Sequence, residues 1–208
     1  MRILIADDHV LIRRGLKQIL LEEFSNALIV EVSDSEGLLK QVRSDKWDIV
    51  ITDLSMPGRN GLEALQEIKT NYPAVPVLVL SGHSEDQYGL RALKAGASGY
   101  LTKESAPDEL AMAIKKILRG KKYITISLAE KLAYSFDRNV NKLPHELLSN
   151  REFEVFKLIA SGKSVSEIGE MLFLSPTTIS TYRARILQKM QIRNNAMLTQ
   201  YAIENNLI

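Results

Sequence analysis

Five short apolar runs alternate with five helix-like segments over the first 122 residues, and this alternation restricts the fold more than any other property of the chain. The runs cover 2–6, 28–32, 48–52, 76–80 and 98–102. Stretches such as Ile49-Val50-Ile51 and Val77-Leu78-Val79-Leu80 are apolar almost without interruption, which suits strands buried on both faces. Helix-like segments at 9–23, 34–45, 60–71, 85–96 and 106–119 separate them. In the last, Leu110, Ala113, Ile114, Ile117 and Leu118 recur at helical spacing, and Pro107 falls in the first turn, where a missing N–H costs little. Five such units predict an open parallel sheet wrapped on both faces by helices.

Ligands of such sheets bind at the carboxyl ends of the strands. Asp7, Asp8, Asp53, Ser81 and Lys103 each sit at or just after one of those ends. Singly they say little, since an Asp-Asp pair before a helix is usually a cap and a lone lysine at a strand end is usually solvated. Jointly they predict three carboxylates, a hydroxyl and an ammonium in one pocket. Converging carboxylates repel unless a cation neutralises them, and an all-oxygen donor set suits Mg²⁺. Lys103 and Ser81 would complete a cradle for phosphoryl oxygens, and an Asp carboxylate can itself carry a phosphoryl group.

From about residue 123 the alternation stops. A short helix is expected at 126–137, and the polar stretch 138–144, closed by Pro144, reads as an interdomain linker. Only helix patterns follow, at 149–160, 164–172, 175–190 and 194–204. Ser149 stands three residues before Glu152 and Ser164 three before Glu167, two capping boxes. Ser175 precedes Pro176 at a first helical position, and Gly162 closes the first of these helices. Charge is uneven as well. Residues 1–122 hold 17 Lys/Arg and 17 Asp/Glu, whereas 175–195 hold Arg183, Arg185, Lys189 and Arg193 with no acid. A basic stripe on a helix is a nucleic-acid footprint, although a solvated face is the commoner reading of a charge run alone.

Other classes are excluded or disfavoured by composition. With no cysteine there is no disulfide framework, thiol nucleophile or zinc-thiolate site. No apolar stretch approaches the roughly 20 residues that span a bilayer. The first residues already form a strand-like run, so a cytoplasmic protein without a signal peptide or membrane association is expected.

Residues 1–122 resemble the receiver domain of two-component response regulators, through "ILIADDH", "DIVITDLSMPGRNGLEAL", "PVLVLSGH" and "ALKAGASGYLTK". The resemblance implies a flavodoxin-like α/β doubly wound fold with five parallel strands. It makes Asp53 the phosphoacceptor and Asp8 a direct Mg²⁺ ligand, with Asp7 acting mainly through water and the Ser55 carbonyl as a further ligand. Lys103 would pair with the phosphoryl group, Ser81 would move to hydrogen-bond it, and Tyr100 matches the aromatic that swings inward in response. Ser55 and His83 match two positions that tune dephosphorylation. Glu104 stands where many receivers have proline.

The stretch from Leu148 to Ile192 resembles the LuxR-type helix-turn-helix domain, and the two together resemble the NarL/FixJ subfamily of transcription factors. The implied organisation is a receiver at 1–122, a linker with a short helix at 123–144 and a small all-α DNA-binding domain at 145–208. Helix 175–190 would lie in the major groove of double-stranded DNA. Ser180, Thr181 and Ala184 would face base edges, and Thr177, Thr178, Arg183, Arg185 and Lys189 would meet phosphates. Many relatives carry lysine where Ser180 stands and a longer side chain where Ala184 stands, so readout here would lean on apolar, water-mediated or shape terms. Ile179, Ile186, Leu187 and Met190 read as the buried stripe of the helix. Helix 194–204 would either pair two DNA-binding domains or pack within one chain. The implied partners are a sensor histidine kinase, a second copy after phosphorylation, paired DNA half-sites and RNA polymerase. Two rivals are constitutive DNA binding with an idle receiver, and a small-molecule aspartyl-phosphate hydrolase. The hydrolase is disfavoured because Ser55 stands where such enzymes commonly place a second Asp.

Overall fold

The computed structural model describes residues 1–56, 60–137 and 143–208, with side chains at all of these except 134–137. Pro57, Gly58 and Arg59 of the "DLSMPGRNG" motif lie outside the described residues, as do residues 138–142 of the expected linker. The chain divides into two compact units, Met1–Tyr134 and Ser135–Ile208.

The first unit is built on strands β1 (Arg2–Ala6), β2 (Leu28–Val32), β3 (Ile49–Thr52), β4 (Val77–Ser81) and β5 (Gly99–Thr102), all parallel, in the order β2-β1-β3-β4-β5. β3 is buried at all four positions, as its unbroken apolar sequence requires, whereas edge strand β2 is partly exposed throughout. Helices α1 (Val10–Glu23), α2 (Ser35–Ser44), α3 (Gly61–Asn71), α4 (Glu85–Lys94) and α5 (Ala106–Leu118) connect the strands. α1 packs with α5, and α3 with both α2 and α4, so helices cover both faces. Period-two alternation decides which side chains meet which layer. Ile3, Ile5, Ile49, Ile51, Leu78 and Leu80 join Leu16 and Leu20 of α1 and Leu110, Ile114 and Ile117 of α5 in one core. Strand β4 extends one residue beyond the expected run, because Ser81 pairs in register with Thr102. α6 (Ile126–Asp137) follows.

The second unit holds a 3₁₀ turn at Pro144–Leu147 and helices α7 (Asn150–Ala160), α8 (Val165–Leu172), α9 (Pro176–Met190) and α10 (Asn195–Glu204). Both expected capping boxes are formed, with the Glu152 and Glu167 amides donating to Ser149 and Ser164 Oγ and the carboxylates returning the bond. Gly162 has φ +84° and completes a Schellman closure, in which the Gly162 and Lys163 amides donate to Ile159 and Leu158 O. Phe153, Phe156, Ile168, Ile179, Ile186 and Leu198 form the buried interior. The turn from α8 to α9 is tight. A Cβ on Gly169 would lie 2.7 Å from Leu174 O, and Phe173 adopts φ +55° to make the bend. On α10, Leu198 and Ala202 are buried while Met197 and Ile203 are exposed.

Candidate functional site

The parallel register brings the ends of β1, β3, β4 and β5 to one edge, and the five expected polar residues lie there. Asp7, Asp53 and Ser81 are almost completely buried. The Asp53 amide donates to Ala6 O at 2.8 Å, which locks the loop after β3 to the end of β1. The Lys103 amide donates to Ser81 O at 2.9 Å and does the same for β5 and β4. From that anchor Lys103 Nζ reaches Asp53 Oδ2 and Asp7 Oδ2, each at 2.7 Å. Burial pulls the lysine pKa down, but contact with Asp53 and Asp7 outweighs it and holds the ammonium above its ordinary value. Asp53 Oδ1 accepts from the Leu54 amide at 2.6 Å.

Asp7, Asp8, His9 and Asp53 offer ligand atoms within 4.8 Å of one another. Asp7 Oδ2 and Asp8 Oδ1 are buried oxygens without an aligned hydrogen-bond donor, despite their ionic contacts with Lys103 and His9. A buried anionic oxygen in that state is costly, and a hard cation relieves it. The residues therefore fit a divalent, oxygen-preferring metal ion.

Ser81 Oγ accepts from the His83 amide at 3.2 Å, and the fully buried Tyr100 donates its hydroxyl to His83 O at 2.7 Å. Burial pushes the Tyr100 phenol well above its ordinary pKa, so it remains a donor. The His83 ring lies 3.0 Å from Ser55 Oγ through Nε2 and stacks on Tyr88 at 4.6 Å. Three contributors lay beyond the sequence reading. His9 donates its amide to Asp7 Oδ1 at 2.7 Å, and Arg13 binds the Asp7 carbonyl. Gly61 lets α3 start against the Asp53 loop, since a Cβ there would lie 2.5 Å from Asp53 O. His9 was the findable one, because it directly follows the two aspartates.

On α9, Thr177, Ser180, Thr181, Ala184, Arg185 and Gln188 are exposed and Thr178 is half-buried. Ile179, Ile186 and Met190 are buried as expected, while Leu187 is half-buried. Gln188 shares the outer face, a position the charge pattern did not flag. Two cations are committed within the unit. Lys189 Nζ donates to the buried Glu152 carboxylate at 2.6 Å, and half-buried Arg183 donates from Nε to Asn195 Oδ1 at 2.7 Å. In this structure Lys189, although exposed, acts as a strut to α7, and Arg185 and Arg193 are further exposed cations of the stripe.

Comparison with known proteins agrees with this division. Residues 3–115 match the family described as response regulator receiver domain, and 146–202 match bacterial regulatory proteins, luxR family. The chain is 36% identical over 206 residues to the response regulator UvrY of Escherichia coli K12, covering 99% of this chain and 94% of that protein. It is 34% identical to the response regulator GacA of Pseudomonas aeruginosa, over 100% of this chain and 97% of that one. Among solved structures it is similar to RcsB of Salmonella enterica serovar Typhimurium bound to promoter rprA with the phosphomimetic BeF3-. That match has 29% identity and a TM-score of 0.66, and covers 97% of this chain and 98% of that one. The chain belongs to the NarL/FixJ subfamily of two-component response regulators, DNA-binding transcription regulators that join a receiver to a LuxR-type helix-turn-helix domain.

Proposed function

We propose that this regulator is gated by phosphorylation at Asp53, with residues 1–122 as the receiver, 123–144 as the linker and 145–208 as the DNA-binding domain. The observation that carries the reading is the Lys103 ammonium, held 2.7 Å from both Asp53 and Asp7 at the strand edge. An Asp53 carboxylate oxygen forms the new bond to phosphorus as the bond to the imidazole of a partner histidine kinase breaks. Lys103 holds the charge of the transferred group, and Ser81 Oγ leaves the His83 amide to donate to it. Tyr100 and His83 move with that hydroxyl. Mg²⁺, held by Asp8, Asp53 and the Ser55 carbonyl, with Asp7 mainly through water, would neutralise charge on the phosphoryl oxygens. Pre-placed groups suffice, because phosphoryl transfer depends chiefly on position and charge.

The helical unit then meets double-stranded DNA through α9. Thr177, Thr178, Arg183 and Arg185 serve phosphates, and Ser180, Thr181 and Ala184 face the bases. Lys189 serves phosphate only if it leaves Glu152. Phosphorylated copies pair and bind two half-sites, so weak receiver pairing raises DNA affinity through effective concentration. RNA polymerase is the further partner at promoters, and the family supports a cytoplasmic setting. The test is Asp53→Ala, assayed for DNA binding with and without a small acyl phosphate and Mg²⁺. Stimulation is expected in the wild type alone, and equal stimulation of both proteins refutes the reading.

A further inference from the structure

Two glycines of the receiver are shaped around the segment that follows α5. Gly99 opens β5, and a Cβ there would fall 2.9 Å from both Tyr123 Cβ and Tyr123 O. Tyr123 itself bridges to Gly99 as an added parallel partner on the edge of the sheet, and its hydroxyl donates to Glu109 of α5. Gly89 lies inside α4, where glycine weakens a helix relative to alanine. A Cβ there would lie 3.0 Å and 3.1 Å from the two methyls of Leu128, and 2.9 Å from Glu85 Cγ. Leu128 is fully buried in this notch, although its neighbour Ile126 is 82% exposed. Polar contacts flank it. Thr125 Oγ1 donates to Glu85 Oε1 at 2.7 Å and caps α6 by accepting from the Leu128 amide. Lys131 pairs with Asp86.

We infer that the α4 surface formed by Glu85, Asp86 and Gly89 is a docking site for the linker helix α6, and that phosphorylation at Asp53 weakens this docking. The inference rests on the phosphorylation reading of Asp53. The same first turn of α4 touches both the pocket and α6. Tyr88, next to Gly89, stacks on His83, whose ring meets Ser55 Oγ two residues after Asp53. The His83 amide is held by Ser81 Oγ, the hydroxyl a phosphoryl group recruits. Recruitment removes that bond and loosens the loop that leads into Glu85 and Asp86. Because packed contacts are either seated or not, a small shift of this turn unseats Leu128 rather than stretching its contact. Undocking lengthens the tether between the two units, which lets two DNA-binding domains reach paired half-sites.

The chain has no cysteine, so the docking can be trapped selectively. In the full-length protein, Asp86→Cys with Lys131→Cys removes the flanking ion pair but keeps the Leu128 contact at Gly89, and its two thiols lie outside the phosphorylation pocket. A short bifunctional maleimide should link them readily in the resting protein, and several-fold more slowly once acetyl phosphate and Mg²⁺ are present. The linked protein should still be phosphorylated at Asp53, yet lose the rise in DNA binding that the unlinked variant shows. An unchanged or faster linking rate overturns the inference, as does equal stimulation of linked and unlinked protein. If the wild-type protein is phosphorylated but its DNA binding never rises, the gating reading itself fails and the docking switch falls with it.

Discussion

The same substitution, glycine to alanine, should change stability in opposite directions at two places in the receiver. Gly15 lies in the interior of α1, exposed, with nothing within 4 Å of an added Cβ. Alanine there lowers the conformational entropy of the unfolded chain and strengthens the helix, a gain of about 0.5–1 kcal/mol. Gly61 begins α3, and its added Cβ would meet Asp53 O at 2.5 Å, Leu54 Cα at 2.6 Å and Leu54 O at 2.9 Å. These are backbone atoms that no rotamer change can move aside. Overpacking of this kind costs about 1–3 kcal/mol, which exceeds the propensity gain at a first helical position. Trp47 is the single tryptophan, 5% exposed and inside the receiver unit, so its fluorescence follows unfolding of that unit alone. With a urea slope of about 1–3 kcal/mol per M, the midpoints of Gly15→Ala and Gly61→Ala should separate by roughly 1 M, on opposite sides of wild type. Because the clash pushes on the Asp53 loop, Gly61→Ala should also slow phosphorylation by a small acyl phosphate, and Gly15→Ala should not. A Gly61→Ala protein with wild-type midpoint and phosphorylation rate would show that α3 does not seat rigidly against that loop.

Three further expectations concern charge. Burial pushes the Glu152 carboxyl up, but Lys189 and the capping Ser149 outweigh it and hold it below its ordinary value. The stability it adds is therefore full above the ordinary carboxylate range and lost as pH falls through its depressed folded value. Glu152→Gln should flatten the acid dependence of amide exchange in α7 and α9, and an unchanged profile would refute the pair's role. In DNA titrations across salt, Arg185→Gln should reduce the log–log slope by about 1, as loss of one phosphate contact does, and Lys189→Gln should leave it unaltered. Equal losses would mean that Lys189 abandons Glu152 on DNA. Mg²⁺ at about 100 times its Kd should stabilise the receiver by about 2.7 kcal/mol in the Trp47 assay. Asp8→Asn should abolish the effect, and a wild-type midpoint indifferent to Mg²⁺ would remove the metal from the proposal.

What could be read before the fold was known follows from how each kind of information is stored. The pocket was legible because a parallel sheet puts every strand's carboxyl end on one edge. Locating Asp53, Ser81 and Lys103 after apolar runs was therefore enough to predict their convergence, and the register Ser81 to Thr102 realises it. The capping boxes at Ser149 and Ser164 were legible because their chemistry closes within three residues. Lys189 was not. A phosphate contact and a strut have the same residue type, charge and helical spacing, and only Glu152, 37 residues away and buried, separates them. The glycines differ again, because sequence names them but not the volume they leave empty. Gly61 makes room for the Asp53 loop, Gly99 for Tyr123 and Gly89 for Leu128. The last two carry the strongest consequence. Residues 123–131, expected only as part of a linker with a short helix, pack into room left by these two glycines, and under the proposed docking they belong to the switch as much as to the linker. Local patterns report what a helix is. They do not report which surface has been hollowed to receive it.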